Sequence, residues 1–214
     1  MKFVSLLLSS LLLAACGGGG GGGAPAPAGP VASTSTFQLK QAYTNDFNET
    51  KTYTFAINGS ITSGGNTGAV TGTGAITQGA VSNVTFDGAA AKSKAKTTSG
   101  SITVTVGVTS ASQVLSPSIS STFVSPAFDL VGFTSASSYS VPVAATAIPA
   151  TATVGASGTV GTFNTYASAA KGPILGTNVL TWALGADTAS TAILTLTQTL
   201  KNTGGAVTST QVET

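Results

Sequence analysis

Histidine and arginine are both absent from the 214 residues, and cysteine, methionine and tryptophan occur once each. Without histidine, general acid–base chemistry and the Ser-His-Asp arrangement lose their commonest member. Zinc and haem sites lose their commonest ligand as well. A lone cysteine has no disulfide partner in its own chain. Charge is scarce: 7% of residues are Asp, Glu, Lys or Arg, against about 25% in an ordinary soluble domain. The formal net charge of +2 is no basic field, so nucleic acid is not an expected partner. Low charge combined with 42% hydrophobic residues also excludes a disordered composition.

What remains is Thr, Ser, Val, Ala and Gly. Thr and Val branch at Cβ and suit a pleated, half-buried surface. The composition predicts an all-β fold, either an antiparallel β-sandwich or a half-open β-barrel. Periodicity does not separate the two, because both need alternating antiparallel strands. A membrane-spanning barrel fits poorly, since outward positions carry Thr and Ser and no aromatic girdle recurs.

The first sixteen residues read differently from the rest. Lys2 supplies a positive start, and Phe3 to Leu13 is apolar apart from Ser5, Ser9 and Ser10. As a helix this run rises about 16 Å, roughly half of a hydrocarbon core, which suits a signal segment and not a membrane span. Leu13-Ala14-Ala15-Cys16 closes it. In this stretch the chain resembles the bacterial lipoprotein family, whose lipobox has this order of leader, small residues and cysteine. The resemblance implies diacylglyceryl attachment to the Cys16 thiol, cleavage after Ala15 and acylation of the new amino terminus, with palmitate among the chains. Several acyl chains suffice for stable anchoring where one is marginal. Position 17 is Gly and not Asp, which by resemblance to enterobacterial lipoproteins implies the outer membrane of a Gram-negative bacterium, with the leaflet left open.

Seven glycines, Gly17 to Gly23, follow the cysteine, and then Ala24-Pro25-Ala26-Pro27-Ala28-Gly29-Pro30. Glycine makes the first half flexible, and the alternating prolines favour an extended second half. From Cys16 to Thr36 the coil-like reach is about 25 Å, with an extended limit of about 70 Å. The expected organisation is a signal peptide over 1–15, lipidated Cys16 and linker over 16–36, and one all-β domain over 37–214.

Within that domain, Phe37 to Tyr43 reads as an alternating strand and Asn45 to Glu49 as a solvated turn. Tyr53, Phe55 and Ile57 share a strand face, with Asn58-Gly59 as the hairpin turn. Asp87-Gly88 and Ser99-Gly100 are further expected turns. Lys92, Lys94 and Lys96 fall on one strand face, the pattern of an edge strand protected against edge-to-edge pairing; a contact stripe for anionic headgroups is the alternative. Ile102 to Val108 is the clearest strand. Leu180, Trp182 and Leu184 share a face, with Ala192, Leu194 and Leu196 answering it, and Trp182 is expected in a core. The segment Ile148 to Gly205, with its Val-Gly-x-Ser-Gly and Thr-Trp-x-Leu-Gly-Ala-Asp-Thr phrases, is similar to Thr-rich lipoproteins of Gram-negative bacteria that lack an assigned activity. That likeness brings no site residues.

No Gly-x-Ser-x-Gly elbow occurs. Ser-x-x-Lys occurs at Ser93/Lys96 and Ser168/Lys171, without the Ser-Asp-Asn and Lys-Thr-Gly companions of penicillin-binding enzymes. Asp87, Asp129 and Asp187 are far apart in sequence. No catalytic residue, metal ligand or cofactor is assigned. The expectation is a lipid-anchored envelope lipoprotein, not an enzyme, with a structural or binding role and a membrane partner through its anchor. Its alternatives are a glycan-binding adhesin using Tyr43, Tyr53, Tyr139, Tyr166 and Trp182, or a half-barrel that holds lipid in an apolar concavity.

Overall fold

The computed structural model describes residues 33–63 and 65–214. The leader, Ala15, Cys16 and the Gly/Pro linker lie outside the described residues. The chain is mostly β, in the half-open barrel form of the two expected. Ten strands make one antiparallel sheet: β2 (Lys51–Ser63), β3 (Asn66–Phe86), β4 (Ala89–Val106), β5 (Thr109–Val124), β6 (Leu130–Ser135), β7 (Ser138–Pro142), β9 (Ser157–Tyr166), β10 (Gly176–Ala186), β11 (Ala192–Asn202) and β12 (Val207–Glu213). They lie side by side in chain order, with β2 and β12 at the two edges. A separate two-stranded piece pairs β1 (Thr36–Phe37) with β8 (Ala152–Thr153).

Three expectations about local structure are corrected. The stretch whose alternation predicts a strand and turn is helix α1, Leu39–Asn48. Leu39, Tyr43 and Phe47 recur every fourth residue, a spacing that a helix and an alternating strand both satisfy. Burial of Leu39 and Phe47 decides for the helix. Asn58-Gly59 does not turn the chain: Asn58 pairs with Thr71 and Gly59 with Val70, and the β2–β3 ladder runs unbroken to Ser63 and Asn66. Continuous pairing outweighs the local turn preference, and the turn forms near Gly65, at φ +83°. Ser99-Gly100 is likewise not a turn but an irregularity inside β4, where pairing with β5 shifts register between Thr98 and Gly100. Asp87-Gly88 does turn the chain, with φ 51° and 81°, as a two-residue hairpin loop requires.

The lysine run is corrected too. Lys92, Lys94 and Lys96 sit on β4, which is hydrogen-bonded to β3 on one side and β5 on the other. They protect no edge.

Chain contacts divide the molecule into two compact units, one of residues 43–141 and 165–173, the other of residues 33–42, 142–164 and 174–214. In the first, Phe86 stacks on Phe123 at 4.1 Å and on Tyr139 at 4.9 Å between ring centres. Ala91 and Val141 complete this core, with Val84, Val131 and Tyr166 packed against it. Gly132 lies beneath the Phe86 ring, where a Cβ would clash with it. In the second unit Val160, Phe163, Leu180, Trp182 and Leu184 are buried. Trp182 faces Leu196 and Leu184 faces Leu194 across the β10–β11 ladder, as the two alternating runs predict. The Trp182 indole lies over Gly158, where a Cβ would stand 2.8 Å from Nε1.

Candidate binding surface

Strands β2 to β5 extend beyond the aromatic core as a four-stranded blade. No charged residue occurs from Thr52 to Phe86 or from Thr97 to Phe128, so the blade is polar only through hydroxyls and amides. Its two faces follow from strand alternation. One carries Tyr53, Phe55, Ile57 and Ile61 of β2, Val70 and Ile76 of β3, and Ile102, Val104 and Val106 of β4, as the pairing registers align them. Gly68, Gly72 and Gly74 interrupt this face on β3. Their missing side chains let neighbours lean inward: a Cβ at Gly74 would meet the Phe55 ring, and one at Gly68 would meet Val106. Val70, between them, is buried.

The opposite face is a field of hydroxyls. Thr103 and Ser112 approach to 2.7 Å, Thr105 and Ser110 to 2.9 Å, Thr62 and Thr67 to 3.1 Å, and Thr52 and Thr77 to 3.4 Å. Cross-strand hydroxyl pairs of this kind add modestly to sheet stability. Apolar residues nevertheless reach solvent: Val114 is 78% exposed and Val108, beside the Gly107 turn, fully so. A shallow, open depression of about 790 Å³ crosses the blade beside Phe55, Gly74, Gly100, Val114, Leu115 and Pro117.

Several charged residues gather at the root of the blade. Lys94 is buried and donates to the Asp46 carbonyl of α1 at 2.8 Å. Burial pushes its ammonium below the usual lysine value. Lys92 stands 4.0 Å over the Phe128 ring, and Phe128 meets Phe47 edge-on at 6.0 Å. These contacts join α1 and the 125–129 turn to the sheet, so two of the three lysines are spent inside the fold and form no exposed stripe.

Asp87 and Lys171, both in the left-handed region at φ 51°, meet at 2.6 Å. The hydrogen bond to Asp87 raises the Lys171 ammonium above its usual value. The Tyr139 hydroxyl donates to Asp87 at a long 3.4 Å, and its ionisation is pushed up, first by burial and then by the Asp87 charge. Lys171 is thus committed to Asp87, while its backbone N–H donates to the Ser168 carbonyl at 3.1 Å. The Ser168/Lys171 pair forms no dyad. Ser93 and Lys96, three apart on a strand, point to opposite faces. Asp187 accepts from Thr191 Oγ1 at 2.7 Å in its own turn. Among the described residues no group of three or more acidic, His or Cys side chains could hold a metal.

The five aromatics of the adhesin alternative are not gathered as a platform. Tyr139 and Trp182 are buried, Tyr43 packs on Phe47 and Tyr166 on the Phe86 core, which leaves Tyr53 exposed. The blade was hidden from sequence reasoning because Asn58-Gly59 and Ser99-Gly100 cut its long strands on paper. The missing signal was the absence of charge across both hairpins. No protein-family profile matches the chain, and neither a curated protein nor a solved structure matches it significantly.

Proposed function

We propose that the protein is a lipid-anchored lipoprotein of the Gram-negative outer membrane whose β module serves a binding role and not a catalytic one. The observation that carries the binding role is the uncharged blade of β2–β5, open to solvent on its hydroxyl face and along its outer strand. Such a surface suits association through backbone hydrogen bonds and apolar contact, with no charged group available to steer chemistry. The anchor rests on Leu13-Ala14-Ala15-Cys16, with cleavage after Ala15 and lipid on Cys16. The Gly17–Pro30 linker would let the module stand off the bilayer and reorient.

Metabolic labelling with radioactive palmitate tests the anchor. The wild-type chain takes up label and partitions with membranes, and Cys16→Ala does neither. Equal labelling of both proteins overturns the proposal.

A further inference from the structure

We propose that the outer edge of β2 is a homotypic docking site, at which two copies of the chain pair β2 to β2, antiparallel, about a twofold axis through Ile57. Strand β2 ends the sheet, so one row of its backbone N–H and C=O groups points away from β3. Such an edge templates another strand unless something blunts it: a lysine, a proline, a bulge or short length. None of these occurs from Thr52 to Ser63, and the 13 residues of β2 pair with β3 without a register shift. The other edge is guarded differently: β12 has 7 residues, ends in Glu213 and pairs through an irregularity at Leu200/Lys201. The lysines that would protect an edge lie instead on interior β4.

The second copy is the occupant because the edge is self-complementary. Pairing centred on Ile57 sets Tyr53 against Ile61 and Phe55 against Gly59 of the other copy. Tyr53 and Ile61 are the exposed large apolar residues of β2, at 44% and 38%, and each would cover the other. Gly59 leaves room for the Phe55 ring, as Gly74 already does within the chain. On the other face Thr52 meets Thr62 and Thr54 meets Ser60, repeating the hydroxyl pairs seen inside the sheet. Charge offers no obstacle. Lys51 is held by Glu49 at 2.6 Å and Asp46 at 3.1 Å. In this register the two Lys51 residues lie about 40 Å apart, at opposite ends of the new ladder. Pairing of this kind does not depend on lipid, so its outcome and the palmitate outcome are independent.

The test is disulfide trapping in the full chain. Ile57→Cys sits on the axis and should oxidise to a covalent homodimer, because facing residues of antiparallel strands fall within disulfide reach. Thr71→Cys, on β3 beside Asn58, is the control and should stay near the level of the unsubstituted chain. A mixture of Thr54→Cys and Ser60→Cys chains, both altered at exposed positions, should give heterodimer and guards against misfolding of the Ile57 variant. Adding Ala56→Lys and Asn58→Lys should cut Ile57→Cys trapping by about tenfold or more and leave a monomer by light scattering. Trapping no greater than the control in both cysteine sets, trapping untouched by the added lysines, or adducts with a different protein in place of a homodimer would each overturn the proposal.

Discussion

Strand β10 and the distal half of β4 share one kind of sequence, with apolar residues recurring at alternate places, and end in different circumstances. In β10 every second residue from Gly176 to Leu184 is buried. In β4 none of Ile102, Val104 and Val106 is buried, and Val106 is 43% exposed. Alternation tells the chain to form a strand whose faces differ. It does not tell the chain that anything will cover the apolar face. Coverage depends on whether another element packs there.

The comparison breaks most visibly by truncation. Phe86→Ala removes a ring stacked on two others and should lower unfolding free energy by about 3–5 kcal/mol, whereas Val114→Ala should change it by less than about 0.5 kcal/mol. Urea titration of both variants checks this. A Phe86→Ala value as small as that of Val114→Ala would mean that the root of the blade is not a core.

Glycine substitution sharpens the same contrast. Gly132→Ala forces a Cβ against the Phe86 ring and the Ser140 carbonyl, both fixed in the core, and should cost about 1–3 kcal/mol. Gly74→Ala meets the Phe55 ring first, a half-buried side chain that can swing toward solvent, and should cost under about 1 kcal/mol. Thermal melts of the pair test the order, and a larger loss for Gly74→Ala would reverse the reading of the two regions.

Titration gives the third test, confined to the root. Tyr139 and Lys171 both hold their protons more tightly in the fold than their ordinary values imply. Their contribution is therefore complete below pH ~10 and is lost as pH climbs through the raised values. Lys94 acts in the opposite sense, since its lowered value makes the charged form a burden that rising pH relieves. The wild-type melting temperature should fall more steeply above pH ~10 than that of Tyr139→Phe, and the latest phenolate absorbance step should vanish in the variant. An unchanged late step would assign it to another tyrosine.

The smallest expected effect concerns the hydroxyl pairs. Thr103→Ala and Thr105→Ala, on the exposed face, should each cost about 0.2–1 kcal/mol, read by chemical denaturation. A much larger loss would show that the hydroxyl field is structural and not a free surface.

Much of the second unit was legible in advance. Trp182 and Leu184 face Leu196 and Leu194 as their spacing predicts, and in the first unit the Asp87-Gly88 turn is set by backbone conformations that few residue pairs adopt. The helix was not legible, because Leu39, Tyr43 and Phe47 satisfy two periods at once. The blade was misread because Asn-Gly and Ser-Gly are turn signals only when no ladder competes for their backbone groups. The proposed docking edge was not legible at all: which strand lies outermost depends on which strands find partners, and no local pattern encodes that.

By itself the sequence determined a β-rich chain without histidine chemistry, with strands of Thr, Val and Gly, because these follow from residue types and their spacing. Only the tertiary structure decided that Lys92, Lys94 and Lys96 lie in the interior of a sheet, that Tyr139 and Lys171 converge on Asp87, and that β2 stands unguarded at the rim. Each of these depends on contacts between residues distant in sequence, whose energies exist only once the strands have chosen their neighbours.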